Sequence, residues 1–207
     1  MKCLPPSNSI RWKDMDFINV GIKKFELPFS LKEKTIVFTS KNAVNALVKW
    51  YPNEKFKEAF VYCVGEKTKA LLEDNEIEVH GVSPYSKDLS LQLVQDKTRE
   101  IILFCGNLRR AELKEAALAH GIVYQEIEVY ETTLTPHELS EDFDGIVFFS
   151  PSAVQSFAEL NSPKNSIAFC IGTSTANAAS KYFKQVLISD DLTIESVLDK
   201  VKEYDGN

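Results

Sequence analysis

Between residues 35 and 130 short runs of β-branched and aromatic residues alternate with stretches whose apolar positions recur three and four apart. That alternation of periods is expected of βαβ units around a parallel sheet. The runs predict strands at residues 35–39, 60–64, 78–80, 101–105 and 123–130. Helical spacing predicts helices over 42–50, with Ala43, Val44, Leu47 and Val48 on one face, and over 66–74, 89–96 and 110–119. Five strands with helices between them make residues 31–130 a complete flavodoxin-like α/β domain in expectation. Further on, strands are predicted at 145–149, 167–171 and 185–188, and helices at 153–160, 174–183 and 194–203. Only three strands fall there, so segment 16–20, upstream of the first domain, is expected to supply a fourth.

The pattern therefore predicts two flavodoxin-like parallel-sheet domains, one inserted in the other. The outer domain is discontinuous, made of residues 1–22 and 136–207, and 31–130 is the insert. Segments 23–30 and 131–135 form a two-stranded linker, and two crossings of this kind still permit opening and closing. Internal repetition supports the pairing of domains. Val37-Phe-Thr-Ser-Lys-Asn-Ala-Val44 recurs as Val147-Phe-Phe-Ser-Pro-Ser-Ala-Val154, and Cys63-Val-Gly-Glu-Lys-Thr68 recurs as Cys170-Ile-Gly-Thr-Ser-Thr175. A strand, a hydroxyl-rich loop and a helix thus occur twice, followed each time by a second such element. The expectation is two similar domains facing one another around a ligand.

Composition narrows the class. At 207 residues, 44% hydrophobic and 26% charged, the chain is an ordinary globular protein of two small domains. No apolar run approaches the roughly 18 residues of a membrane span, and residues 1–7 lack the apolar core of a signal peptide, so a cytoplasmic location is expected. A net charge of −6 argues against a general nucleic-acid or anionic-membrane binder. Monomer is the default, since no apolar stripe demands a partner. Cysteines 3, 63, 105 and 170 have no C-x-x-C spacing, and three of them end apolar runs, as buried reduced thiols do. His80, His120 and His137 are scattered without metal-ligand spacing, so no metal site is expected.

In an open parallel sheet, ligands bind beyond the carboxyl ends of the strands, where loops enter helix N-termini. That rule selects Thr39–Asn42, Gly65–Thr68, Ser150–Ser152 and Gly172–Thr175, all rich in hydroxyls and free amides suited to carboxylate or phosphate oxygens. Singly, such serines and threonines serve as helix caps; four of them, paired by the repeat, point to an anion-binding cleft. A fifth loop, Cys105-Gly-Asn-Leu-Arg109-Arg110, offers close backbone approach at Gly106 and two arginines able to pair with carboxylates. It lacks the spacing of a P-loop. Tyr130 ends the last strand of the insert. A free phenol ionises near about pH 10 and is a proton donor at neutral pH, although from position alone an interface-packing role is the simpler reading.

Six motifs in order, T-S-K-N-A-V, V-G-E-K-T, C-G-N-L-R-R, V-Y-E-T, F-F-S-P-S-A-V and I-G-T-S-T-A, spread over residues 36–178, closely resemble uroporphyrinogen-III synthase. The terminal T-I-E-S-V-L helix also fits. The resemblance implies a cofactor-free lyase of heme and porphyrin biosynthesis. Its substrate would be the small linear tetrapyrrole hydroxymethylbilane, closed to uroporphyrinogen III with inversion of ring D and loss of water. It also implies the two-domain fold with a two-stranded linker. Tyr130 occupies the place of the family tyrosine that assists departure of the hydroxyl. Ser40, Thr68, Ser150 and Thr175 fall on substrate-binding loop positions, with Gly106, Asn107 and Arg109 as supports.

One departure accompanies the match. Family members usually begin with a strand and a helix carrying a basic residue, and residues 1–13 show neither, so exposed apolar edges are expected in the outer domain. Other readings share the architecture. One is a cytosolic binding protein with two such domains around a hinge, and another is a relative that binds tetrapyrrole without closing it. A flavin carrier is a third, because the Gly172–Thr175 loop is weakly similar to a flavin phosphate loop.

Overall fold

The computed structural model describes residues 10–109 and 111–205, a mixed α/β protein built on parallel sheets. Two compact units emerge. One runs from Val20 to Thr132; the other joins the residues up to Asn19 with those from Thr133 onward.

The first unit holds β2 (Thr35–Phe38), β3 (Phe60–Val64), β4 (Gly81–Ser83), β5 (Glu100–Gly106) and β6 (Val123–Leu134), with β1 (Ile18–Ile22) added at the edge. The order is β1-β6-β5-β2-β3-β4. The pairs β2/β3, β3/β4, β2/β5 and β5/β6 are all parallel. Helices α1 (Lys41–Trp50) and α2 (Glu66–Asp74) cover one face, α3 (Ser86–Gln95) and α4 (Glu112–Ala119) the other. The two faces carry separate cores. Phe38, Val44, Leu47, Leu72 and Phe104 centre one, Val37, Leu89, Leu93, Leu103 and Leu113 the other. Such continuous apolar strands are what burial on both faces demands, and each fully buried Leu or Phe contributes about 1.5–3 kcal/mol.

Several expectations change here. The order is not that of flavodoxin: counted from β2, two strands lie on either side of the first, giving 3-2-1-4-5 rather than 2-1-3-4-5. The cause is that β3 and β4 step away in one direction before α3 brings the chain back across the sheet to pair β5 with β2. Segment 16–20 does not form a fourth strand of the outer sheet. It becomes β1 and runs against β6 in the opposite direction, with Lys23 N–H to Val129 O at 2.9 Å and Thr135 N–H to Phe17 O at 3.0 Å. Its middle residues are exposed, which suits a ribbon and not a buried strand. Part of segment 23–30, expected as linker, belongs with the insert because Phe25, Leu27 and Phe29 pack against its core.

The strand expected at 78–80 lies a few residues later, at β4. Glu76 adopts a left-handed φ of 58° to close α2, and Val61 N–H then donates to His80 Nδ1 at 3.2 Å, spending the predicted segment on the turn.

The second unit has a three-stranded parallel sheet in the order β7 (Gly145–Phe148), β8 (Ile167–Cys170), β9 (Gln185–Ile188). Helices α5 (Pro151–Leu160) and α6 (Thr173–Ala179) cover one face, where Phe148, Phe157 and Phe183 meet at 5.5–5.7 Å between ring centroids. Phe17 adds an edge-on contact with Phe157 at 5.7 Å. The opposite face is covered by α7 (Ile194–Asp205) through Val197 and Phe169. Strand β7 is an edge, and Ile146 and Val147 on it are only partly buried.

Candidate active site

The repeated motifs build the same local structure in both units. In each, a serine follows the strand in extended backbone and caps the helix. Ser40 Oγ accepts from Asn42 N–H at 3.1 Å. Ser150 Oγ accepts from Ala153 N–H at 3.2 Å and lies 3.1 Å from Ser152 Oγ. The second element repeats as well. Gly65 and Gly172 precede α2 and α6, and the third helical residues, Thr68 and Thr175, are buried with their amides bonded to those glycine carbonyls at 3.0 and 3.1 Å. Each helix start lies at the carboxyl end of a strand, where the helix dipole favours anions.

In the Val20–Thr132 unit, neighbours β2 and β5 send their chains to opposite faces, into α1 and α4. A crevice at their carboxyl ends is the expected ligand position in such a sheet. Ser40 stands on one side of it and Gly106, Asn107 and Arg109 on the other. Thr68 lies one strand further out, after β3. Ser150 and Thr175 occupy the matching ends of β7 and β8 in the other unit.

Tyr130 comes to lie on Gly106, at the carboxyl end of β5, through an irregularity. Up to Cys105↔Glu128 the β5/β6 register is regular; the next pair is Gly106↔Tyr130, so Val129 is an extra residue on β6. Regular alternation would turn Tyr130 away from the face that Val129 occupies. Instead Ile127, Val129 and Tyr130 all pack against one core cluster. The Tyr130 ring lies directly over Gly106, where a Cβ would fall 2.5 Å from Cζ.

Asn107 is fully engaged with β6. Its Nδ2–H donates to Thr132 O at 3.0 Å, and its Oδ1 accepts from Thr132 N–H at 2.8 Å. Arg109 is engaged too. Nε donates to Glu126 Oε2 at 3.0 Å, Glu128 lies 3.8 Å from the guanidinium, and Lys23 holds Glu128 at 2.6 Å. The hydrogen bond from Arg109 keeps the Glu126 carboxyl below the usual carboxylate range. The positive charge of Arg109 is therefore paired with carboxylates of β6. Arg110 lies outside the described residues. The pattern did not single out Glu126 or Glu128 and marked Thr132 only as the end of the V-Y-E-T motif; nothing local marks residues that become partners only through the β5–β6 register.

A groove of about 1040 Å³ lies elsewhere, lined by Trp12, Asp144, Gly145, Ser166 and Tyr204 among others, at the amino ends of β7 and β8. It contains none of the expected residues. Among the described residues no cluster of His, Cys, Asp and Glu is placed to hold a metal ion, and no helix is long and apolar enough to cross a membrane.

A doubly wound parallel sheet in one unit and a three-stranded parallel sheet in the other, with Ser40 and Ser150 capping helices at strand ends, define an α/β protein. A family model described as uroporphyrinogen-III synthase HemD matches residues 22–199. The chain belongs to that family, the cyclising lyases that close hydroxymethylbilane to uroporphyrinogen III.

Solved structures agree in fold. The Helicobacter pylori uroporphyrinogen-III synthetase is 20% identical, with 91% of each chain covered and a TM-score of 0.67. A Thermus thermophilus uroporphyrinogen III synthase mutant is 19% identical over 84% of this chain and 79% of that one, with a TM-score of 0.60. The wild-type Thermus thermophilus enzyme is 18% identical over 88% and 85%, with a TM-score of 0.53. No curated protein matches the sequence.

Proposed function

We propose that this chain performs the family's cyclisation with Tyr130 as proton donor to the departing hydroxyl. Ser40, Thr68, Ser150 and Thr175, with the amides beside them, hold the acetate and propionate arms, and Gly106, Asn107 and Arg109 support the β5 side of the crevice. The observation that supports the assignment is the seat of Tyr130 on Gly106, at the carboxyl end of β5, where a parallel sheet of this kind takes its ligand. The phenol gives its proton to the hydroxyl, which leaves as water, and a cationic azafulvenium remains beside the phenolate. The substituted carbon of ring D attacks it, the spiro intermediate fragments and recloses inverted, and the proton lost from carbon on closure returns to the phenolate. Because the bilane closes spontaneously to the uninverted isomer, the protein's principal contribution is orientation.

The enzyme works on this small molecule as a cytoplasmic monomer without nucleic-acid partners. Three buried free thiols, Cys63, Cys105 and Cys170, fit a reducing compartment, and the net charge of −6 disfavours nucleic acid. The test supplies purified protein with freshly generated hydroxymethylbilane, oxidises the products and separates uroporphyrin isomers I and III. Isomer III should predominate. Tyr130→Phe should lower turnover by roughly 100-fold with unchanged thermal stability; full turnover would remove Tyr130 as donor.

A further inference from the structure

We infer that Asn107 is a positioning residue whose side-chain amide stands in for the missing end of β5, fixing the backbone of Thr132 and with it the setting of Tyr130. The inference rests on the donor role of Tyr130 proposed above.

Strand β5 ends at Gly106 while β6 continues to Leu134, so beyond Tyr130 the β5 side of β6 has no parallel partner strand. There the Asn107 amide makes both hydrogen bonds that a strand would make, donating to Thr132 O and accepting from Thr132 N–H. A side-chain amide reproduces a peptide's donor and acceptor in one plane. Thr132 is also the last residue of its unit, where the chain crosses to the other. The clasp therefore lies between the bulge at Val129 and the point where the chain passes from one unit to the other. Only Glu131 lies between Tyr130 and the clasped Thr132, and Gly106, the Tyr130 seat, is bonded directly to Asn107. Both ends of the tyrosine's setting are consequently held by one loop.

Asn107→Ala should speed amide hydrogen exchange at Thr132 by about 10-fold while amides in β2 and β3 keep their rates. It should lower kcat on the order of 10- to 100-fold, as expected for a misplaced catalytic group, with little change in KM. Asn107→Asp keeps the acceptor and loses the donor. Its carboxyl regains a donor when protonated, so Thr132 protection relative to the parent protein should recover as pH falls towards about 4. Unchanged Thr132 exchange in Asn107→Ala would overturn the clasp. A loss confined to KM would also overturn it, by putting Asn107 on the substrate. Tyr130→Phe, alone and combined with Asn107→Ala, separates the two proposals. If both act through one hydroxyl, the double variant is scarcely slower than Tyr130→Phe. If Tyr130→Phe keeps full turnover, the positioning role in catalysis is overturned together with the donor role, and Thr132 exchange still decides the clasp.

Discussion

The hydrogen atom that serves as the side chain of Gly106 is the space in which the Tyr130 ring lies. Gly106→Ala must displace the ring or move the strand, so a loss of about 1–3 kcal/mol is expected by chemical denaturation, with turnover reduced further than stability alone explains. The pattern marked Gly106 as a site of close approach but not what approaches it, because the contact depends on a one-residue slip between strands far apart in sequence. Arg109 illustrates the same limit. Its type announced a carboxylate partner, and the partner is Glu126 of the same fold. The folded-state carboxyl of Glu126 titrates below its unfolded value of about 4.5. The ion pair therefore adds stability above that pH and loses it as pH falls through the lower, folded value. Glu126→Gln should cost stability at pH 7 and progressively less on acidification, as followed by denaturation midpoints; an equal cost at pH 7 and pH 3 would contradict the pairing.

Elements were legible where local chemistry decides them. Helices α1 and α5 start where a Ser stands between an apolar run and a helical stretch, and Ser40 and Ser150 make the bonds that such positions favour. Either Ser→Ala should cost about 1 kcal/mol, a loss that says nothing about ligand. Ser40→Asp distinguishes the roles. It keeps the cap but sets a negative charge against the carboxylate arms, so KM should rise while thermal stability holds. An unchanged KM would leave Ser40 as a cap alone. Elements were misread where competition decides them. Segment 16–20 has strand composition, yet a sheet edge in either unit would have satisfied it, and β6, extending past β5, offered the longer ladder. The end of α6 illustrates a smaller case. It stops at Ala179, and Phe183 folds back, its amide bonded to Ala179 O at 2.8 Å, to bring its ring into the aromatic core.

At the scale of the molecule, alternation gave the number of βαβ units and the repeat gave their kinship, but the side on which β5 pairs with β2 was not encoded locally. Right-handed crossovers permit either order, and the choice belongs to the packing of the whole sheet. The two units differ in how well they are enclosed. One has fully buried strands between two helical layers; in the other, β9 and β7 remain largely half-exposed. Native-state hydrogen exchange should accordingly find the amides of β2, β3 and β5 opening at higher free energy than those of β7 and β9. Equal protection would mean that the units unfold as one.

Burial drives the thiols of Cys63 and Cys170 up to about 12 and that of Cys105 to about 11, so at neutral pH they are neutral and poor nucleophiles. In a Cys3→Ser background, a maleimide dye should leave all three unlabelled until the protein is unfolded. One cysteine introduced on the surface of each unit would then take a fluorophore alone, and energy transfer between the pair would follow any change in their separation as the bilane enters and the finished macrocycle leaves.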